Sequence, residues 1–272
     1  MGDHARLVSL VEREAPGAAW VCRPDTRRPV QPTAWSCGYA NLGELLALCG
    51  CSPSPEEAEG GPGGACAAAR PAVAEVQAWI DEAHRDGFDP DGFAELGVVS
   101  GTRQWVGTAE AAAVLRHRGV PARVGAFRAG VNCVTPAEAL LGALRAHFAS
   151  FVPADAVVVI SDDDDDDDDD VDDDGGDPGL RGKVRQTSAP PAMVNWRGHS
   201  VLVAAIGVDD DVVAVYDPSG GALRLSPAAY VVPAGGRADI EVCCADPRGA
   251  PLEGEARRRA KDLGDASLAL LS

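Results

Sequence analysis

Residues 35–49 read Trp35-Ser36-Cys37-Gly38-Tyr39-Ala40-Asn41-Leu42-Gly43-Glu44-Leu45-Leu46-Ala47-Leu48-Cys49. Leu42, Leu45, Leu46 and Cys49 fall at i, i+3, i+4 and i+7, which is one face of a helix. The spacing predicts a helix from near Ser36 through Leu48, closed by Gly50. Cys37 then stands in its first turn. Unpaired N–H groups and the helix dipole favour a thiolate there. Gly38 would leave room for a substrate backbone. None of the other seven cysteines has a comparable setting. A cysteine nucleophile also needs a base and a group that orients the base.

Five histidines offer that base. His4 is terminal, His84 and His117 read as exposed helix ends beside arginines, and His147 lies within a helix. His199 alone opens an apolar, β-branched run, His199 to Val208. It is the best base, although a strand-edge histidine held by a backbone carbonyl would look the same. Val212 to Tyr216 reads as the partner strand and ends at Asp217-Pro218. A five-residue loop, Gly207 to Asp211, would pair Ile206 with Val212. Paired residue numbers then total 418, which sets Asp217 opposite Val201 and on the His199 face. A two-residue turn would put the two on opposite faces. The plainer reading of Asp217-Pro218-Ser219-Gly220 is a strand-ending turn. Asp209 to Asp211 read as solvent-facing. Gln31, six residues before Cys37, is placed to donate to an oxyanion. Cysteine early, with histidine and acid late on adjacent strands, is the papain-like order.

The rest of the chain fits one large domain. It has 272 residues, 46% hydrophobic and 24% charged, enough to bury a sizeable core. Residues 1–20 read as an N-terminal helical extension that breaks at Pro16-Gly17, and 21–272 as the catalytic domain. Residues 22–34 read as an extended entry. Further helices are expected at 71–85, Thr108–Arg118 (with Thr108 as N-cap), Pro136–Phe148 and within 253–272. Strands are expected at Val120–Phe127, Ala156–Ile160 and Ile240–Cys244, and a turn at Gly87 to Gly92. The fold class is α+β, with helices around a small, mainly antiparallel sheet.

Charge and cysteine content exclude several classes. The net charge is −18, but twelve aspartates within 162–174 carry much of it, and without them it is −6. A run of like charges stays solvated, so about 161–190 reads as a disordered acidic insert. No basic stripe suggests nucleic acid, and no apolar run is long enough for a membrane span. Eight cysteines without a secretory signal suggest reduced thiols, hence a cytoplasmic or nuclear protein. Cys49, Cys51, Cys66 and His84 could surround a metal, but no paired C-x-x-C supports one. Neither a metal nor a cofactor is expected.

Residues 35–41, W-S-C-G-Y-A-N, resemble the W-G-C-G-Y-R-N motif of the ZUFSP-type deubiquitinases, the zinc-finger-containing ubiquitin peptidases. Gly198-His199-Ser200 resembles that family's G-H-S, and Asp217-Pro218 its aspartate-proline. Ile80-Asp81-Glu82-Ala83, Gly87-Phe88-Asp89-Pro90, Gly101-Thr102-Arg103-Gln104-Trp105-Val106-Gly107 and Glu255-Ala256-Arg257-Arg258 follow in the family's order. The likeness covers about 35–270 apart from the insert. It implies a papain-like cysteine isopeptidase that cleaves ubiquitin chains after the C-terminal glycine, with a preference for lysine-sixty-three linkage and ubiquitin or polyubiquitin as partner. It further implies that Asp89 and Glu110 hold the arginines of ubiquitin's tail, and that Trp105 lines the glycine channel. A turn aspartate, an early-helix glutamate and a core tryptophan are their ordinary readings. Ser36 and Ala40 replace the family's Gly and Arg. The related ubiquitin-fold-modifier proteases place a histidine directly after Asp-Pro, where this chain has Ser219. A protease for another ubiquitin-like modifier, and a degenerate ubiquitin-binding module, remain the alternatives.

Overall fold

In the computed structural model the described residues are 2–15, 17–51, 69–127, 135–152, 184–196, 198–220, 223–227 and 240–261. Seven helices and eight strands occur among them. In chain order they are α1 (Asp3–Glu14), β1 (Ala19–Val21), α2 (Cys37–Leu48), α3 (Val73–Arg85), α4 (Pro90–Leu96), α5 (Thr108–His117), β2 (Ala122–Phe127) and α6 (Pro136–Ala149). Then follow β3 (Val184–Gln186), β4 (Ala192–Trp196), β5 (His199–Gly207), β6 (Val212–Tyr216), β7 (Leu223–Pro227), β8 (Ile240–Ala245) and α7 (Gly254–Arg259). The fold is mixed α/β. The strands form one sheet, larger than the small one expected, in which β1 with β3 is the only parallel pair among the described residues.

The Cys37 helix is not an ordinary amphipathic surface helix. Eleven of the twelve residues of α2 are buried, not only the Leu42 face. Small residues (Gly38, Gly43, Ala47) let neighbours approach, and Leu42, Leu45 and Leu46 fill the core on β5. Each buried leucine contributes about 1.5–3 kcal/mol of hydrophobic stabilisation. Glu44 is the one acid enclosed in α2. Arg27 and Arg70 form ion pairs with it, and the Arg27 N–H donates to it at 2.6 Å, so its charge is not left bare. Gly50, at φ +75°, closes the helix as expected.

β5 is the axis of the sheet. β6 runs along one edge, while β4 and then β1 share the other. The loop between β5 and β6 differs from the expectation. Ile206 pairs with Val213, not Val212, so the numbers there total 419. A β-bulge at Ala204 takes up the surplus residue, and Val203 with Val215 and Leu202 with Tyr216 return to 418. The end of the hairpin that carries His199 therefore has the register first derived. Asp210 is also less solvent-facing than expected. Its Oδ1 accepts from the Val212 N–H at 3.2 Å, and the space beside Gly207 is filled by this carboxylate.

Other corrections are local. Residues 184–190 lie in the fold and not in the acidic insert. Apolar Val184 and buried Thr187 and Ala189 pack there, and the free edge of β1 takes β3 as a partner. The remainder of the insert, and the strand expected at 156–160, lie outside the described residues. The turn expected at 87–92 contains the start of α4. Asp89 sits at φ +52° and caps it by accepting from the Gly92 N–H at 3.1 Å, with Pro90 at the first position. The N-cap of α5 is Gly107, because the Thr108 hydroxyl is drawn away to Glu241 on β8 at 2.9 Å.

Candidate active site

Cys37 opens α2 with its thiol buried. Ser36, at the N-cap, gives its hydroxyl to the Thr33 backbone and caps nothing. No acid stands in the first turn. The positive end of the helix is therefore left to the sulfur. Burial works against the thiolate, but hydrogen bonds from His199 and from Ser200 outweigh it and hold the Cys37 pKa below the usual thiol value.

His199 reaches the sulfur from the first residue of β5. Its bond to Cys37 raises the imidazole pKa, burial opposes this, and the Asp217 carboxylate adds to the rise. His199 Nε2 lies 3.3 Å from Asp217 Oδ1, which leaves Nδ1 to meet the sulfur. Trp196, its cross-strand neighbour on β4, makes a T-shaped contact with the ring, with centroids 5.7 Å apart. Asp217 is itself fixed. Burial alone would raise its pKa, but its Oδ1 accepts from the Ser219 N–H (2.8 Å) and hydroxyl (2.6 Å), and with His199 these hold it below the usual carboxylate range. The turn reading of Asp217-Pro218-Ser219 is thus realised, by a carboxylate that also lies beside His199. The Gln31 N–H donates to the Pro218 carbonyl at 3.4 Å, which ties the entry segment to the loop after Asp217. The Gln31 side-chain carbonyl is buried without a hydrogen-bond partner.

The segment 104–107 forms the far wall. A Cβ on Gly38 would lie 2.2 Å from the Val106 carbonyl oxygen. Gly38 therefore serves the packing of Val106 and not the approach of a substrate. The Tyr39 hydroxyl donates to the Gln104 carbonyl at 2.9 Å. Trp105 is not a core residue. It is 52% exposed, and its ring lies over Gly198, beside His199. Asp89 and Glu110 are both buried. Glu110 accepts from the Gly107 N–H at 2.7 Å, and burial raises its pKa, with Asp89 and Glu241 adding repulsion. The second oxygen of Asp89 is buried and unpartnered.

The other histidines are set aside for reasons the sequence did not show. His84 is buried against Phe93, His117 pairs with Asp86 at 2.9 Å, and His147 is enclosed beside the Pro190 carbonyl. Among the described residues no group of three or more His, Cys, Asp or Glu side chains could hold a metal. No helix among them is long and apolar enough to cross a membrane.

Residues 26–221 match the family model described as peptidase family C78, a span that holds Cys37, His199, Asp217, Gln31, Asp89, Trp105 and Glu110. The chain belongs to peptidase family C78. Over 190 residues it is 24% identical to zinc finger-containing ubiquitin peptidase 1 of Bos taurus, a match that covers 68% of this chain and 27% of that relative. The chain thus spans about a quarter of the length of the curated relative it matches. Membership and likeness together support a ubiquitin-related peptidase. Gly198 and Val106 were the contributors to the C78 site that spacing alone did not single out. The available signal was that each adjoins a residue already under suspicion, His199 or Trp105.

Proposed function

We propose that this chain is a cysteine isopeptidase with a papain-like fold that hydrolyses ubiquitin chains after the C-terminal glycine of ubiquitin. The observation that carries the reading is the meeting of Cys37, at an uncapped helix N-terminus, with an imidazole that Asp217 holds from behind.

The Cys37 thiolate attacks the carbonyl carbon of the terminal glycine. The oxyanion is stabilised by the Cys37 backbone N–H and the Gln31 side-chain amide. The His199 imidazolium donates its proton to the leaving lysine amine, which gives a thioester on Cys37. His199 then takes a proton from water, the resulting hydroxide equivalent attacks the thioester, and the thiolate is regenerated. Asp217 keeps the ring in one orientation and stabilises its charged form. Upstream, Asp89 and Glu110 receive the arginines of the ubiquitin tail, and Trp105 borders the channel that admits only glycines. Preference for lysine-sixty-three linkage, and a cytoplasmic or nuclear setting where thiols stay reduced, belong to the same proposal.

Linkage-defined ubiquitin dimers and longer chains test it. The native chain should release free ubiquitin, lysine-sixty-three-linked chains first, and Cys37→Ala should release none while melting at an unchanged temperature. Cleavage by Cys37→Ala would refute the assignment. Turnover of a different modifier's C-terminal probe, with ubiquitin untouched, would move the reading to that modifier.

A further inference from the structure

The entry segment, residues 23–31, is fastened to α2 at two levels. The Arg23 Nη1 donates to the Leu48 carbonyl at 2.7 Å, and four residues on the Arg27 backbone N–H donates to Glu44 Oε1 at 2.6 Å. As the residue number rises, the anchor on α2 falls from Leu48 to Glu44, so the segment climbs toward the Cys37 end of the helix. Four residues further, the Gln31 N–H donates at 3.4 Å to the carbonyl of Pro218, which directly follows Asp217. Cys37 and Glu44 stand at i and i+7, on one face of α2. We infer that Glu44 is a positioning residue: its carboxylate fixes the level of the entry segment along α2 and so sets the Gln31 amide where the oxyanion forms. The inference rests on the proposed roles of Cys37 as nucleophile and Gln31 as oxyanion donor.

The lengths agree. Seven residues of helix separate Glu44 from Cys37, a rise of about 10.5 Å. Four extended residues from Arg27 to Gln31 reach about 13 Å, enough to bring Gln31 to the level of the thiol. The carboxylate divides its work. Oε2 pairs with the Arg27 and Arg70 guanidinium groups, and Oε1 is left for the Arg27 backbone N–H. A bond from an N–H to a charged acceptor is shorter and stronger than a neutral one. The Glu44 side chain is fully buried, which costs desolvation that an apolar side chain of its size would avoid if α2 needed only packing. The next N–H, that of Arg28, goes to Asp3 Oδ2 of α1 at 3.2 Å, so carboxylates from two helices grip adjacent residues of the segment. The Gln31 side-chain carbonyl is buried without a partner. That end of the amide has no anchor of its own, so its place follows from the backbone that carries it.

The experiment measures steady-state turnover of a fluorogenic ubiquitin conjugate by the native full chain, Glu44→Ala, Glu44→Gln, Gln31→Ala and the double variant Glu44→Ala with Gln31→Ala. Thermal unfolding of each variant serves as the check on folding. Gln31→Ala is expected to lose about 100-fold in kcat. Glu44→Ala is expected to lose about tenfold in kcat with KM within about twofold of the native value. Glu44→Gln keeps an acceptor for the Arg27 N–H and should stay within about threefold of the native kcat. On the Gln31→Ala background the loss from Glu44→Ala should shrink to less than about twofold, because the displaced segment no longer carries the donor. A Glu44→Ala kcat equal to the native one would overturn the inference. So would a loss of the same size with and without Gln31, which is what a merely structural role gives. Should Glu44→Ala fail to fold, Glu44→Met, which fills the space and offers no acceptor, takes its place under the same criteria. A Gln31→Ala variant with the native kcat would instead sink the oxyanion assignment, and a native chain that leaves the conjugate intact the isopeptidase reading, and this inference with either.

Discussion

Asp217 Oδ1 lies 3.3 Å from His199 Nε2 although the loop joining their strands has the wrong parity for that contact. Carried through from the loop, the 419 register would set Asp217 across from Leu202, on the face away from His199. The bulge at Ala204 absorbs one residue and restores the face. Bulges that re-aim a side chain beside a functional centre are a recurrent device in sheets. The placement of Asp217 beside His199 is therefore built into the register of the sheet.

Removal of the Asp217 carboxylate should act through the imidazole. Asp217→Ala is expected to lower kcat/KM on a fluorogenic ubiquitin conjugate by about 10- to 100-fold, and Asp217→Asn by less, because an amide still orients the ring. Both remove a negative charge that favours the imidazolium. The His199 pKa should fall, and the alkaline limb of the pH–rate profile should move to lower pH. A full profile of each variant checks both statements.

The Gly38 position should tolerate no side chain. The Val106 carbonyl is backbone and has no flexible end to give. Gly38→Ala is expected to destabilise the protein by about 1–3 kcal/mol in denaturant unfolding, and to reduce activity more than that loss explains, since the displaced segment carries Trp105.

Asp89→Asn with Glu110→Gln should raise KM for a ubiquitin substrate about tenfold or more and leave kcat nearly unchanged, the signature of lost binding that is uniform along the reaction. The effect should shrink at high salt. Glu110 also makes a pH prediction. Its pKa is raised, chiefly by burial, so it becomes neutral at a higher pH than an ordinary carboxylate. KM should therefore begin to rise on acidification before exposed carboxylates titrate, and Glu110→Gln should remove that early component.

His147 sets an acid limit on stability. Burial lowers its pKa from 6.5 to about 4, with the Pro190 carbonyl bond opposing this. A histidine with a depressed folded-state pKa has no effect above 6.5, where both states are neutral. Below that the unfolded chain binds a proton that the folded one refuses, so stability falls until about pH 4. The loss can reach about 3 kcal/mol. His147→Gln should flatten the unfolding free energy across this window, as read from urea titrations at successive pH values.

Much of this was legible in the sequence because the signals were local and periodic. The α2 helix, its Gly50 terminus and the pairing of β5 with β6 followed from spacing, whereas the face of Asp217 came out as expected only because the bulge at Ala204 offsets the different loop register. What stayed hidden depended on tertiary partners. The three-residue strands β1 and β3 are too short to show a period, and they exist because an edge of β5, and then of β1, was open. The bulge leaves no mark on a run of Val and Ala. Asp89 at positive φ turned an expected loop into a helix cap. Gly38 was assigned to a substrate when its neighbour was Val106, a residue some seventy positions away. Trp105 is exposed, which sets aside the core reading that the sequence also allowed.

The most direct measurement uses ubiquitin bearing a C-terminal electrophile, incubated with the native chain, Cys37→Ala and His199→Ala. The predicted result is a single covalent adduct that maps to Cys37, absent from Cys37→Ala and formed at least tenfold more slowly by His199→Ala. No adduct with the native chain, or an adduct on any of its other cysteines, would contradict the account.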